Sequence, residues 1–389
     1  MKTAIKLAIR NLIGAGMRTW INVFVLSITY VMIIWMQGLM AGWDYQAKRD
    51  MAAWQLGAGQ YWHEQYDPFD PLTLSESHGA VPAVFAQEIA NGHVVPALLA
   101  QAMMFPSGRM LPVVLHGLPA KQQLLKIPTQ KFDDEGFPVV IGGLLARNTG
   151  LSVGDVVTLR WRDTFGTFDA AEVTIAGIFN SNVPAVEMQQ VYLEIEKLRQ
   201  MLSMPNEATL LVFSEKHRPV KDVDGWSLKS FEWLSREVEE MIKTKTVGQS
   251  ILFSVLLMLA MLAVFDTQVL SIFRRQREIG TYVALGYTRT QVVGLFTVEG
   301  TMYAVFAAIV SMAYGMPFLA WQAHSGWTLP VDAGDFGMAM AQTLYPVFSA
   351  GLVVGTVLLV TIATTIVSYL PSRKIARMNP TDALKGKIQ

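Results

Sequence analysis

The 389-residue chain is 52% hydrophobic and 16% charged, with 31 basic and 31 acidic residues and a mean hydropathy of +0.33. Balanced charge gives no global basis for nucleic-acid binding, and the lack of cysteine excludes disulfides, cysteine–zinc sites and thiol catalysis. A charged fraction below the roughly one quarter usual in soluble domains points to a membrane protein.

Residues 1–19 carry Lys2, Lys6, Arg10 and Arg18 and no acid. The apolar run Trp20–Leu39 follows, and a first transmembrane helix is expected over 20–41. The run is longer than the roughly 7–15 residues of a signal-peptide core, and no A-x-A site follows, so an uncleaved helix is expected.

Residues 42–248 change to mixed polarity with many turn signals and are long enough for a core of their own. "VVPALLAQAMMF" and "RMLPVVLHGL" read as strands around a Pro106–Gly108 turn. "DVVTLRW" and "EVTIAGIF" alternate around "RDTFGT", and "VYLEI" and "TLLVF" are further strands. "VPAVFAQEIA" and "LEIEKLRQML" read as helices, giving an α+β domain. Near its ends, Trp43, Ala47, Met51 and Trp54, and then Phe231, Leu234, Val238 and Met241, recur at helical steps. Two readings fit these seams: a paired helical stalk continuing the membrane spans, or two amphipathic helices packed on the domain.

Three more spans are expected, over 249–273, 292–321 and 344–370. Between the second and third, residues 274–291 hold Arg274, Arg275, Arg277 and Arg289. The tail 371–389 holds Arg373, Lys374, Arg377, Lys385 and Lys387. Residues 322–343 hold Asp332 and Asp335 without a basic residue. The positive-inside rule then places both termini and the 274–291 loop in the cytoplasm and 42–248 outside it. The fold expected is a membrane α-helical protein, four transmembrane helices N-in/C-in, with a large α+β extracytoplasmic domain between helices 1 and 2.

Asp266 and Glu299 are ionisable residues in or beside apolar spans, hence a possible intramembrane polar site. Asp266 is expected to face the bundle interior, and Glu299 to lie at the cytoplasmic start of span three. Gly351 and Gly355 form G-x-x-x-G, which permits close helix packing. No P-loop and no G-x-S-x-G elbow occurs, so the sequence offers no nucleotide site or catalytic residue of its own. His63-Glu64-Gln65-Tyr66-Asp67 departs from H-E-x-x-H at its last position, and no metal site is expected.

The loop "RRQREIGTYVALGYTRTQVVGLFTVEG" interleaves Ile279, Val283 and Leu285 with polar and small residues, as in a short amphipathic helix at the inner membrane surface. It resembles the signature of the FtsX/MacB-type ABC transporter permeases, through Arg275, Arg277, Glu278, Ile279, Gly280, Ala284, Leu285 and Gly286. "IKLAIRNLIGAGMRTW" resembles that family's cytoplasmic amphipathic N-terminal helix, and "LPSRKIARMNPTDALKGK" its C-terminal end. "VVIGGLLARNTGLSVGDVVTL" resembles a stretch of its periplasmic domain. The layout is closer to the LolC/LolE lipoprotein-release permeases, and Asp266 stands where the family often has Asn.

The resemblance implies a permease without bound cofactor, dimeric with a second copy or paralogue, in the bacterial inner membrane. It would sit on a dimer of separate ATPase subunits that bind ATP and Mg. Arg277, Glu278, Ile279, Gly280, Ala284, Leu285, Gly286 and Tyr287 would form the coupling segment. The cargo would be hydrophobic or lipid-linked, most readily lipoprotein, with a periplasmic adaptor or lipoprotein chaperone as a further partner besides membrane lipid. Macrolide, peptide or haem efflux, and signalling to a cell-wall hydrolase, are the alternatives. Movement would pass along the stalks, which suits four helices with few buried polar groups.

Overall fold

The computed structural model describes residues 17–221, 223–329 and 341–374. The N-terminal helix expected before residue 17, the tail beyond 374, and Asp332 and Asp335 lie outside the described residues. In chain order the helices are α1 (Met17–Met51), α2 (Ala86–Ala90), α3 (Gly143–Thr149), α4 (Pro184–Glu187), α5 (Ile195–Leu202), α6 (Phe231–Leu234), α7 (Arg236–Arg274), α8 (Gln276–Ala284), α9 (Arg289–Ser325) and α10 (Ala350–Ser372). The main strands are β1 (Gly59–His63), β2 (Gly79–Ala80), β3 (Val94–Phe105), β4 (Leu111–Leu118), β5 (Pro138–Gly142), β6 (Val156–Arg162), β7 (Phe168–Phe179), β8 (Gln190–Glu194), β9 (Glu207–Ala208), β10 (Leu210–Phe213) and β11 (Trp226–Ser230). Two compact units result: Trp43–Met241 with Thr328–Leu344, and a helical unit formed by the rest.

In the helical unit, α1, α7, α9 and α10 are each long and apolar enough to cross a membrane. Their shared core includes Leu26, Tyr30 and Ile33 of α1, Ala260 and Met261 of α7, Tyr303, Ala304 and Ala307 of α9, and Val360 of α10. The fourth helix starts at Ala350, not at 344 as expected. Pro346 lacks the donor that a helix interior needs, and the Ser349 hydroxyl caps the helix by accepting from Leu352 N at 3.2 Å.

The bundle also buries more polar side chains than expected, among them Gln268, Glu299, Thr356, Thr364, Ser368 and Ser372. Several hydroxyls are satisfied within their own helix, as where Thr364 Oγ1 donates to Val360 O at 2.7 Å and Ser372 Oγ to Ser368 O at 2.8 Å. Among the described residues, no other helix comes within 4 Å of a Cβ added at Gly351 or Gly355. The tight approach is at Gly300 instead, where an added Cβ would overlap Ser368 of α10.

The second unit is built on β3, which is 12 residues long and serves three neighbours. One edge pairs with β4 over Leu98–Met104, while the other pairs with β10 over Val94–Ala97 and with β6 over Ala102–Phe105. The order β3-β4-β8-β5-β7-β6 thereby closes on itself as a six-stranded barrel, and β10, β1 and β11 extend as a side sheet. Alternating residues fill the barrel: Leu98, Ala100, Ala102 and Met104 of β3, Val157, Leu159 and Trp161 of β6, Val191 and Leu193 of β8. Ile195, Leu198 and Leu202 of α5 complete this core.

The opposite pleat of β3 (Val95, Ala97, Leu99) joins a second cluster with Trp62, Tyr192, Phe179 and Val212. Met51 belongs to it, and Trp54, Phe231, Leu234 and Val238 pack against it. Lys48 of α1 also pairs with Glu239 of α7 at 3.6 Å. The two seams therefore meet both each other and the domain core. The second seam is not one helix, because α6 ends at Leu234 and Ser235 separates it from α7. Trp43 is buried and Met241 half-buried.

His116 on β4 lies 5.0 Å from the Tyr192 ring. It keeps some surface open, yet the surrounding protein lowers its pKa to about 4 by burial, against a weaker upward pull from Gln190. An unfolded histidine titrates near about 6.5. The folded value is the lower one, so this contribution to stability is full above that pH and is lost as pH falls toward 4. Thermal melts between pH 7 and 4 should show a steeper decline for the wild type than for His116→Gln.

Candidate coupling site

The chain leaves α7 at Arg274, and Arg275 breaks the helix with φ −104° and ψ 20°. Gln276–Ala284 then forms α8, whose apolar residues at helical spacing give it one inward face. Ile279 packs with Ile272 of α7 and with Val292, Val293 and Phe296 of α9, and Tyr282 and Val283 flank it. Gly280 is buried on the same face.

The return to α9 is closed by two motifs set back to back. Gly286 N donates to Val283 O at 3.0 Å and Tyr287 N to Tyr282 O at 3.1 Å, a Schellman motif with Gly286 at φ +93°. The Tyr282 and Tyr287 rings meet at 5.8 Å, the apolar contact this motif favours. A capping box follows, in which Thr288 Oγ1 accepts from Gln291 N at 3.3 Å and Thr288 N donates to Gln291 Oε1 at 2.9 Å.

At the membrane edge, Arg275 Nη1 donates to both carboxylate oxygens of Glu299, at 2.8 and 2.9 Å. Its Nε donates to Glu278 Oε2 at 2.7 Å, and its guanidinium stands 4.9 Å from the Phe296 ring centroid. Burial would lower the Arg275 pKa, but Glu299 and Glu278 together outweigh it and raise it, so the cation is secure.

The expected coupling residues thus fall into two sets. Ile279 and Gly280 face inward, whereas Arg277, Glu278, Ala284, Leu285, Gly286 and Tyr287 are exposed. Leu285 is 72% and Tyr287 46% exposed, an apolar tip at the turn. Asp266 is not in the bundle interior, contrary to expectation. Met261, Val264, Gln268 and Ile272 make the buried face of α7, and Asp266 falls on the far side with exposed Leu262 and Leu270. Glu299 is buried at the start of α9, paired with Arg275. The pairing of Arg275 with Glu299 was not read from the sequence. The available signal was an arginine at an apolar edge facing a glutamate one helix away. Among the described residues no cluster of His, Asp or Glu is arranged to hold a metal.

Residues 250–380 match the family model described as FtsX-like permease C-terminal. An uncharacterized ABC transporter permease, YknZ of Bacillus subtilis, is 23% identical over 252 residues, covering 64% of this chain and 55% of that protein. The macrolide export ATP-binding/permease protein MacB of Escherichia coli is 24% identical over 186 residues, 48% of this chain and 26% of MacB. An uncharacterized ABC transporter permease of Methanocaldococcus jannaschii is 25% identical over 164 residues, 42% of this chain and 39% of the relative. The chain thus matches little more than half the length of these curated relatives at most.

Proposed function

We propose that this chain, an FtsX/MacB-type ABC permease by its membrane region, is the permease subunit of an inner-membrane transporter powered by a separate ATPase. The observation that carries this reading is the exposed Leu285–Gly286–Tyr287 tip, held by a sealed turn on a helix whose opposite face is buried through Ile279 and Gly280. An apolar tip of this kind, flanked by charged Arg277, Glu278 and Arg289, suits a protein partner on the cytoplasmic side. ATP and Mg would bind the partner ATPase dimer, and this chain would supply no catalytic group. Both termini and the loop would be cytoplasmic, and the barrel domain extracytoplasmic.

The cargo favoured is hydrophobic or lipid-linked, most readily lipoprotein, because α7 turns Ile251, Val255, Met258 and Leu262 outward as a broad apolar face. Efflux with a periplasmic adaptor is the second reading, favoured by the macrolide-export name of the MacB relatives. A second permease copy or paralogue would complete the assembly. Purification of the intact protein from its own membranes should recover an ABC ATPase, and proteoliposomes of the pair should hydrolyse ATP. Recovery of no ATPase, together with unchanged function in Gly286→Arg, would sink the reading.

A further inference from the structure

The loop helix α8 lies between two membrane helices, and its mechanical effect depends on which of them it moves with. We propose that Arg275 is a positioning residue whose ion pair with Glu299 locks α8 to α9, so that the two form one rigid lever hinged where α7 ends. This lever rests on the reading above, in which the ATPase pushes on the loop.

Four observations favour α9 as the rigid partner. The Glu299 carboxylate is buried and both its oxygens accept from one Arg275 nitrogen, so opening the pair would remove a charge-assisted contact from a carboxylate held away from water. Phe296, one turn earlier on the same helix, lies under the guanidinium and is fully buried. The buried cluster that holds Ile279 draws Val292, Val293 and Phe296 from α9 and only Ile272 from α7. The connection to α9 is closed by the Schellman motif and the capping box.

The connection to α7, by contrast, is a kinked residue without a side-chain cap. Backbone bonds cross it from Arg275 N to Ser271 O and from Ile279 N to Arg275 O, at 3.1 and 3.0 Å. Bonds of that kind can bend about a joint, whereas a buried ion pair set on an aromatic ring fixes position and angle together. Glu278, on α8 itself, takes the remaining Arg275 contact and ties the start of that helix to the same guanidinium. Beyond the lever, Gly300 abuts Ser368, and the Thr301 and Thr365 hydroxyls stand 3.0 Å apart. Displacement of α9 therefore reaches α10 directly.

The absence of native cysteine makes the test clean. Nitroxide labels are placed in the full chain in nanodiscs at Thr281→Cys on α8 with either Ile309→Cys on α9 or Met258→Cys on α7, all exposed sites. The 281–309 distance should be a single narrow peak, with or without an ATPase present. Adding the co-purified ATPase and ATP should shift the 281–258 distance and leave 281–309 in place. Glu299→Gln should broaden 281–309, and Glu299→Asp should narrow it again.

A 281–309 distance that shifts with ATP while 281–258 stays fixed would overturn the lever, and so would an unbroadened peak in Glu299→Gln. The width of the wild-type peak needs neither the substitution nor the ATPase. Failure of the lever is thereby separated from failure of the transporter reading, which would show as no ATPase recovered.

Discussion

On the function proposed above, Leu285→Arg is expected to detach the permease from the proposed ATPase while leaving the fold intact. The side chain is 72% exposed and is absent from the buried cluster beneath α8, so the free protein gains little from it. A leucine buried in an interface contributes about 2 kcal/mol, so its loss weakens binding roughly thirtyfold, and a buried arginine without a partner weakens it further. Pull-down of the ATPase on tagged permease, paired with thermal melting of the permease alone, reads both halves. Normal recovery of ATPase with an unchanged melt would remove the tip from the interface. Val153→Arg, also well exposed but in the barrel domain, serves as the control and should bind ATPase normally.

Gly142→Ala should have the largest effect on stability. This glycine ends β5 at the start of α3, and a Cβ there would overlap the Glu187 Cα and lie 2.8 Å from the Glu187 carbonyl oxygen. Both obstacles are backbone-anchored and cannot rotate away. Glu187 is itself fixed, because Oε2 accepts from Leu144 N at 3.0 Å at the head of α3 and Oε1 accepts from Ser181 N. Overpacking of this kind costs about 3 kcal/mol, a large share of the stability of an ordinary domain. Limited proteolysis of the full protein should cut the barrel domain well below the wild-type melting temperature. Gly108→Ala, in open space at φ +79°, should cost only about 1 kcal/mol and is the comparison to run beside it.

Local pattern carried much of this fold. The alternation in "DVVTLRW" and "EVTIAGIF" marked β6 and β7, and the turn residues between them marked the hairpin. The barrel was not legible, because its closure joins Ala102–Phe105 to Thr158–Trp161, a pairing that no local pattern encodes. The same limit applies within the membrane unit. Asp266 looked buried because apolar neighbours surround it in sequence, and only the phase of Met261, Val264, Gln268 and Ile272 assigns it to the outer face. Gly351 and Gly355 satisfied a motif but meet no other helix among the described residues, whereas Gly300, in no motif, takes the close contact. The segment 276–287 was legible as a short amphipathic helix and turn. Its division into inward Ile279 and Gly280 and outward Leu285 and Tyr287 needed the turn geometry.

That turn has a consequence for how partners change over evolution. The N–H groups of Leu285, Gly286, Tyr287 and Thr288 are all engaged inside the loop, by Thr281 O, Val283 O, Tyr282 O and Gln291 Oε1. None is left to extend a sheet or clamp a foreign backbone. On the reading proposed above, the donors this loop offers a partner are therefore side chains, on a frame that its own backbone bonds hold in shape. If the proposed motor seats here, a lineage could retune its choice of motor by point changes at positions 285 and 287 without rebuilding the loop.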